Sequence, residues 1–146
     1  MKRVLIDTNI LLDVLLNRQE FLQASTAVLR RILERKCRGF VAATTLTNMY
    51  YIVRRVSGKP EEALAAVDKT LAWCAVAPVN RRVLNVARSS GMKDFEDAVQ
   101  AAAARDFGID IVVTRDKTGF HDSGLRVCSP EEFLETLFGR STGSLK

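Results

Sequence analysis

Asp7, Asp94, Asp97 and Asp116 are the residues of this 146-residue chain best placed to do chemistry. Asp7 ends the apolar run Val4-Leu5-Ile6, and Asp116 follows Ile111-Val112-Val113-Thr114-Arg115. Asp94 and Asp97 open the alanine-rich stretch from Ala98 to Ala104. A carboxylate at the carboxyl end of a buried strand costs burial energy and brings no packing in return. Several such ends meeting in one crevice repel one another unless a cation sits between them. Hard oxygen donors select Mg²⁺ or Mn²⁺. The chemistry open to this set is therefore metal-dependent hydrolysis.

The elements that must position these acids can be read from the pattern. Lys2 to Ile6 reads as a short, fully buried strand, a continuous β-rich run rather than an alternating one. Thr8 or Asn9 can cap a helix from Ile10 to Leu16. Helical spacing over Leu22 to Lys36 predicts a second helix, with Arg30, Arg31, Glu34 and Arg35 facing outward. Phe40 to Ala43 reads as a strand, followed by a helix capped by Thr44 or Thr45 and closed by Gly58. Pro60 suits the first turn of a helix running toward Trp73. Cys74 to Val79 is a weaker third strand, and Asn80 caps Arg81 to Ser89. A helix from Asp94 to Phe107 and a strand from Asp110 to Thr114 follow. Leu125 to Cys128 forms a last edge strand, and Ser129-Pro130-Glu131-Glu132 opens a final helix. Strands alternating with helices imply an α/β fold: three layers, α/β/α, around a central parallel sheet of about four to five strands. In such sheets the ligand crevice lies beyond the carboxyl strand ends, where strand order reverses. Asp7, Asp97 and Asp116 can all point into it. Asp94 is open to two roles, helix cap or site ligand.

Residues 1–139 read as a single domain and 140–146 as a frayed Ser-, Thr- and Gly-rich tail. A net charge of +5 and a pI near 9.4, beside an acidic crevice, favour a polyanionic partner such as nucleic acid. Cys37, Cys74 and Cys128 are widely spaced and odd in number, which suggests neither a disulfide framework nor a zinc site and fits the cytoplasm. Asp7 interrupts the first apolar run too early for a signal peptide, and no run is long enough to span a membrane.

The ordered motifs resemble those of PIN-domain ribonucleases. Val4-Leu5-Ile6-Asp7-Thr8-Asn9-Ile10-Leu11-Leu12-Asp13 looks like the opening motif of that family. Asp94-Phe95-Glu96-Asp97-Ala98-Val99-Gln100 resembles its central acidic helix, and Ile111-Val112-Val113-Thr114-Arg115-Asp116-Lys117-Thr118-Gly119-Phe120 its late strand and loop. Ser129-Pro130-Glu131-Glu132-Phe133-Leu134 is similar to its closing helix. The resemblance implies divalent-metal-dependent cleavage of RNA, with Asp7, Asp97 and Asp116 as ligands of Mg²⁺ or Mn²⁺. It implies supporting roles for Asn9 and Thr114 in orienting ligands or water. Many small stand-alone members look like the VapC-type toxin half of toxin–antitoxin pairs, which implies an antitoxin partner. A homodimer is expected through helices of the segment Thr45 to Trp73, partly by resemblance and partly because Met49, Tyr50, Ile52 and Val53 exceed one buried stripe.

One position departs from the family pattern. Where a Glu is usual on the helix after the second strand, this chain has Asn48, which supplies an amide oxygen but no charge. That leaves open a non-catalytic RNA- or protein-binding module with an eroded site, or a site in which Asp94 provides the missing charge. Arg115 and Lys117 flank Asp116 as candidate phosphate contacts. Asp13 is expected at an exposed helix position and His121 in a solvated loop. Trp73, Tyr50 and Tyr51 are expected in the core or a dimer contact. Aspartyl-phosphate chemistry calls for an Asp-x-Asp pair, and Asn9 stands at its second position.

Overall fold

A computed structural model of the chain describes residues 1–139; the expected tail, 140–146, lies outside the described residues. Five parallel strands form one sheet: β1 (Arg3–Ile6), β2 (Arg38–Ala42), β3 (Ala75–Ala77), β4 (Ile111–Val113) and β5 (Arg126–Cys128), in the order β3-β2-β1-β4-β5. The chain therefore winds outward from β1 in one direction and returns to start β4 on its other side. The reversal point between β1 and β4 is where a crevice must open.

Side chains on β1 alternate between two cores, as the pleat requires. Val4 and Ile6 join Val41 and Val113 in a core covered by α1 (Thr8–Leu15), α2 (Gln19–Leu33), α3 (Ala43–Ser57), α4 (Pro60–Trp73) and α7 (Pro130–Leu134). Leu5 faces the other way and packs with Phe40, Val112 and the alanines of α6 (Phe95–Asp106). Ala42 and Ala77 pack under α5 (Arg81–Arg88) and α6. The alanine row lets α6 approach the sheet closely and carry Asp97 to its edge. These are the three layers expected. Among the described residues no helix is long and apolar enough to cross a membrane.

The helix starts refine the sequence reading. Gly58 closes α3 in the left-handed region (φ 72), Pro60 opens α4, and Asn80 accepts from the Val83 N–H. Ser129 and Glu132 form the full capping box on α7, which passes into a π-helical turn over Glu135–Gly139. The threonine caps are otherwise. Helices α1 and α3 follow their strands with no loop, their N-cap positions are Asp7 and Ala42, and neither makes a side-chain cap bond. Thr8 and Thr45 fall inside the helices and turn toward each other instead, hydroxyl to hydroxyl at 2.9 Å.

Candidate active site

Pairing Ile6 with Val113 sets the ends of β1 and β4 side by side. The Asp7 N–H donates to the Val113 carbonyl at 3.0 Å, so Asp7 and Thr114 leave the sheet as neighbours. Asp7 is only 4% exposed. Its Oδ1 accepts from Gln100 Nε2 at 3.1 Å and its Oδ2 from Thr114 Oγ1 at 2.8 Å. Both donors are neutral. Burial raises the carboxyl's pKa, these two hydrogen bonds and one from the Thr8 backbone pull against it, and the charge of Asp116 adds to the rise. Gln100 is itself held by Thr45 at 3.4 Å, and Thr45 by Thr8. A buried polar chain therefore runs from α1 through α3 and α6 to Asp7.

Asp116 sits on the loop after β4, where its backbone N–H donates to Thr114 Oγ1 and its Oδ1 accepts the Gly119 N–H, each at 3.0 Å. The loop doubles back onto its own carboxylate, and fully buried Phe120 anchors it in the core below. A Cβ at residue 119 would stand 2.5 Å from Asp116 Oδ2 and 3.0 Å from Asp97 Oδ2. Both carboxylates thus face one small volume that only a glycine leaves open. Asp97 is pushed up to about 7, first by burial and then by the charges of Asp7, Asp94, Asp116 and Glu96. Asp94 caps α6, its Oδ1 accepting the Asp97 N–H at 2.9 Å, and also lines the cleft. The cap role is therefore filled, without removing Asp94 from the acidic rim.

The cleft is about 880 Å³ and is lined by Asp94, Asp97, Asp116, Lys117, Gly119 and His121, among others. Like charges gathered in a partly buried crevice are what a hard divalent cation would relieve, and every candidate donor is oxygen. The donor set fits Mg²⁺ or Mn²⁺. Among the described residues no three acidic, histidine or cysteine side chains already stand as a coordination group.

The remaining expected residues divide. Thr114 touches Asp7 as expected. Asn9 is exposed, and its Oδ1 accepts from Arg18 Nη1 at 3.0 Å, so its amide is directed to α2 rather than to the acids. Asn48 is partly buried and faces Glu96, whose raised pKa comes first from burial and then from Asp94 and Asp7, while Asn48 lowers it. Lys117 lines the cleft and pairs with Glu132 at 2.9 Å. Arg115 turns its guanidinium away from the cleft to Asp13, with Nε to Oδ2 at 2.8 Å and Nη2 to Oδ1 at 3.0 Å. Asp13 corrects the expectation of an exposed site. It is fully buried and also accepts from Ser25 Oγ at 2.8 Å. Stripping one partner from such a pair costs ~3–5 kcal/mol, so Asp13 is structural in a way its sequence position hid. His121 is a solvated loop residue, its side chain 83% exposed. Trp73 and Tyr50 pack against the core, while Tyr51 is 68% exposed.

Gln100, Thr45, Glu96 and Gly119 were not singled out from sequence as site residues. The available signal for Gln100 was a lone amide in a run of alanines, one turn after Asp97. For Gly119 it was a glycine three residues after the last acid.

Known proteins share this fold. Over 139 residues the chain is 23% identical to ribonuclease VapC1 of Aquifex aeolicus, covering 92% of this chain and 94% of that protein. VapBC2 from Rickettsia felis, solved bound to a DNA fragment from its promoter, has a similar structure. Its TM-score is 0.68 at 14% identity, over 87% of this chain and 98% of that one. Mycobacterium tuberculosis VapC20, a sarcin-ricin-loop-cleaving toxin, has a TM-score of 0.59 at 18% identity, over 75% and 86% of the two chains. The likeness to both structures is one of fold. The family signature described as PIN domain matches residues 3–118, which take in Asp7, Asp94, Asp97 and Asp116. With the match spanning most of the chain and taking in these four acids, this protein belongs to the PIN-domain family.

Proposed function

We propose that the chain is a divalent-metal-dependent endoribonuclease and the toxin of a toxin–antitoxin pair. The observation that carries this reading is the meeting of Asp97 and Asp116 over Gly119, beside buried Asp7, at the strand-order reversal. Asp7, Asp97 and Asp116 would hold Mg²⁺ or Mn²⁺. When bound, the ion supplies charge neutralisation at a scissile phosphate and lowers the pKa of water. The protein's own contribution is order. Gln100 and Thr114 fix both oxygens of Asp7, Gly119 fixes one oxygen of Asp116, and Phe120 holds the loop down. Lys117, on the cleft wall, is a cation available to a phosphate of the substrate, at the expense of its exposed pairing with Glu132, and Lys93 lines the same cleft.

The antitoxin rests on proteins of similar fold, among them a toxin–antitoxin complex from Klebsiella pneumoniae. Three free, buried cysteines support work in a reducing cytoplasm. A non-catalytic binding module is favoured only by Asn48, and Glu96 beside it returns the missing negative charge.

The test is cleavage of RNA by purified protein with Mn²⁺ and with EDTA. Cleavage should need the ion and be abolished in Asp7→Asn, Asp97→Asn and Asp116→Asn, each of which should remain folded. Tight RNA binding with no ion-dependent cleavage would favour the binding module. A small neighbouring reading frame for a DNA-binding protein would support the toxin assignment, and its absence would point to a housekeeping nuclease.

A further inference from the structure

We infer that Asp13 and Arg115 form a clamp that positions the loop carrying Asp116, making Arg115 a positioning residue rather than a phosphate contact. Thr114, Arg115 and Asp116 are consecutive, and their side chains part ways. Thr114 bonds to Asp7, Asp116 faces Asp97, and Arg115 between them reaches back to α1 and α2. Both bonds of its fork land on one carboxylate, a geometry that fixes orientation as well as distance. The guanidinium carbon also lies 3.6 Å from the centre of the Phe21 ring on α2, so the plane is set as well as the direction.

The receiving carboxylate is built into the fold. Asp13 is fully buried, Ser25 Oγ donates to its Oδ2 at 2.8 Å, and Arg18 Nη1 stands 3.5 Å from its Oδ1. The Arg18 N–H donates to the Asp13 carbonyl at 2.9 Å, which fastens the turn between α1 and α2. A buried carboxylate needs donors, and Ser25 with Arg18 would already tie α1 to α2. The bidentate bond comes instead from a residue 102 positions away, between Thr114, which holds Asp7, and Asp116. Beyond β4 the sheet holds this segment by one backbone bond, Thr114 N–H to the Cys128 carbonyl at 2.9 Å. The clamp is the next fixed point along the chain. Lysine keeps the charge at residue 115 but has neither the fork nor the plane.

What the held loop serves rests on the nuclease reading; whether it is held does not. The test follows amide hydrogen exchange in wild type and Arg115→Lys, with Mn²⁺ titration calorimetry on both. Exchange of the Asp116 and Gly119 amides should accelerate at least tenfold in the variant while the amides of β1 stay unchanged, and Mn²⁺ affinity should fall at least tenfold. Unchanged exchange at the two loop amides overturns the clamp, as does equal acceleration throughout β1, which would make the pair a general staple. Loosened loop amides with wild-type Mn²⁺ affinity would overturn its role in positioning the acids. If wild type binds no Mn²⁺, the nuclease reading fails, and local acceleration alone still supports the clamp. Should Arg115→Lys not fold, Phe21→Leu removes only the stacking ring and should loosen the same two amides about threefold; no change there overturns the proposal.

Discussion

Thr114 and Asp7 are joined at 2.8 Å by a hydroxyl that also accepts the backbone N–H of Asp116 at 3.0 Å. One oxygen therefore couples the acid of β1 to the loop that carries the acid of β4. Thr114→Val keeps the shape and removes that oxygen, leaving a buried carboxylate oxygen and a backbone N–H each short of a partner. Such a loss costs ~1–3 kcal/mol. Urea denaturation should register it, and RNA cleavage should fall by one to two orders of magnitude. Thr114→Ser should recover most of both. Wild-type stability in the valine variant would mean that water replaces the hydroxyl and the coupling is unimportant.

The metal-free protein should lose stability as pH rises through neutrality. The Asp97 carboxyl, ordinarily near 3.8, is raised to about 7 by burial and then by its acidic neighbours. Its contribution is therefore fully present below about 3.8 and is lost as pH rises through about 7. Glu132 acts in a separate window. It is held down to about 2, first by the Ser129 N–H and then by Lys117, so its contribution is present above its usual 4.5 and is lost as pH falls toward 2. Melting in EDTA from pH 4 to 8 should show a decline that Asp97→Asn flattens, and Mn²⁺ should reverse the decline by binding the ionised form. Superimposable wild-type and Asp97→Asn profiles in EDTA would contradict the raised pKa.

Much of this was legible in the sequence because the carrying patterns are local. The apolar run before Asp7, the alanine row after Asp97 and the Ser129 capping box each specify an element without reference to the rest of the chain. A parallel sheet and an acidic crevice beyond its carboxyl ends then follow from alternating strands and helices. What stayed hidden was set by distant partners. Asp13 reads as one more polar position on a helix until Arg115 arrives from the far end of the chain. Thr8 and Thr45 read as caps because their own stretches resemble helix starts. The loopless junctions put the N-cap positions earlier, at Asp7 and Ala42, so both threonines fall inside their helices, where they find each other and Gln100.

A homodimer through α3 and α4 is the expected assembly. Met49 and Val53 are consumed by the core, yet Tyr51, Val56, Leu64 and Leu71 on the same two helices are 68%, 66%, 56% and 49% exposed. Scattered exposed apolar residues are ordinary, but four on one helical pair ask for cover. Sedimentation should give a dimer at micromolar concentration, and Tyr51→Glu with Leu64→Glu should give a folded monomer. A wild-type monomer would rule this out.

Glu96 should stand in for the carboxylate that Asn48 lacks. Asn48 on α3 faces Glu96 on α6, and the charges of Asp94 and Asp7 both act on that carboxylate. An acid delivered from the opposite helix can serve the same rim. Glu96→Gln should then weaken Mn²⁺ binding by about one order of magnitude, roughly 1.4 kcal/mol, and move the Mn²⁺ dependence of cleavage to higher concentration. Asn48→Glu in the wild-type background sets two carboxylates against each other, which should lower metal-free stability. Placed in the Glu96→Gln protein, the same substitution returns one carboxylate to the pair and should restore Mn²⁺ affinity. Titration calorimetry on the four proteins separates the possibilities. If Glu96→Gln binds Mn²⁺ as wild type does, Glu96 lies outside the ion's reach and the site works with three acids.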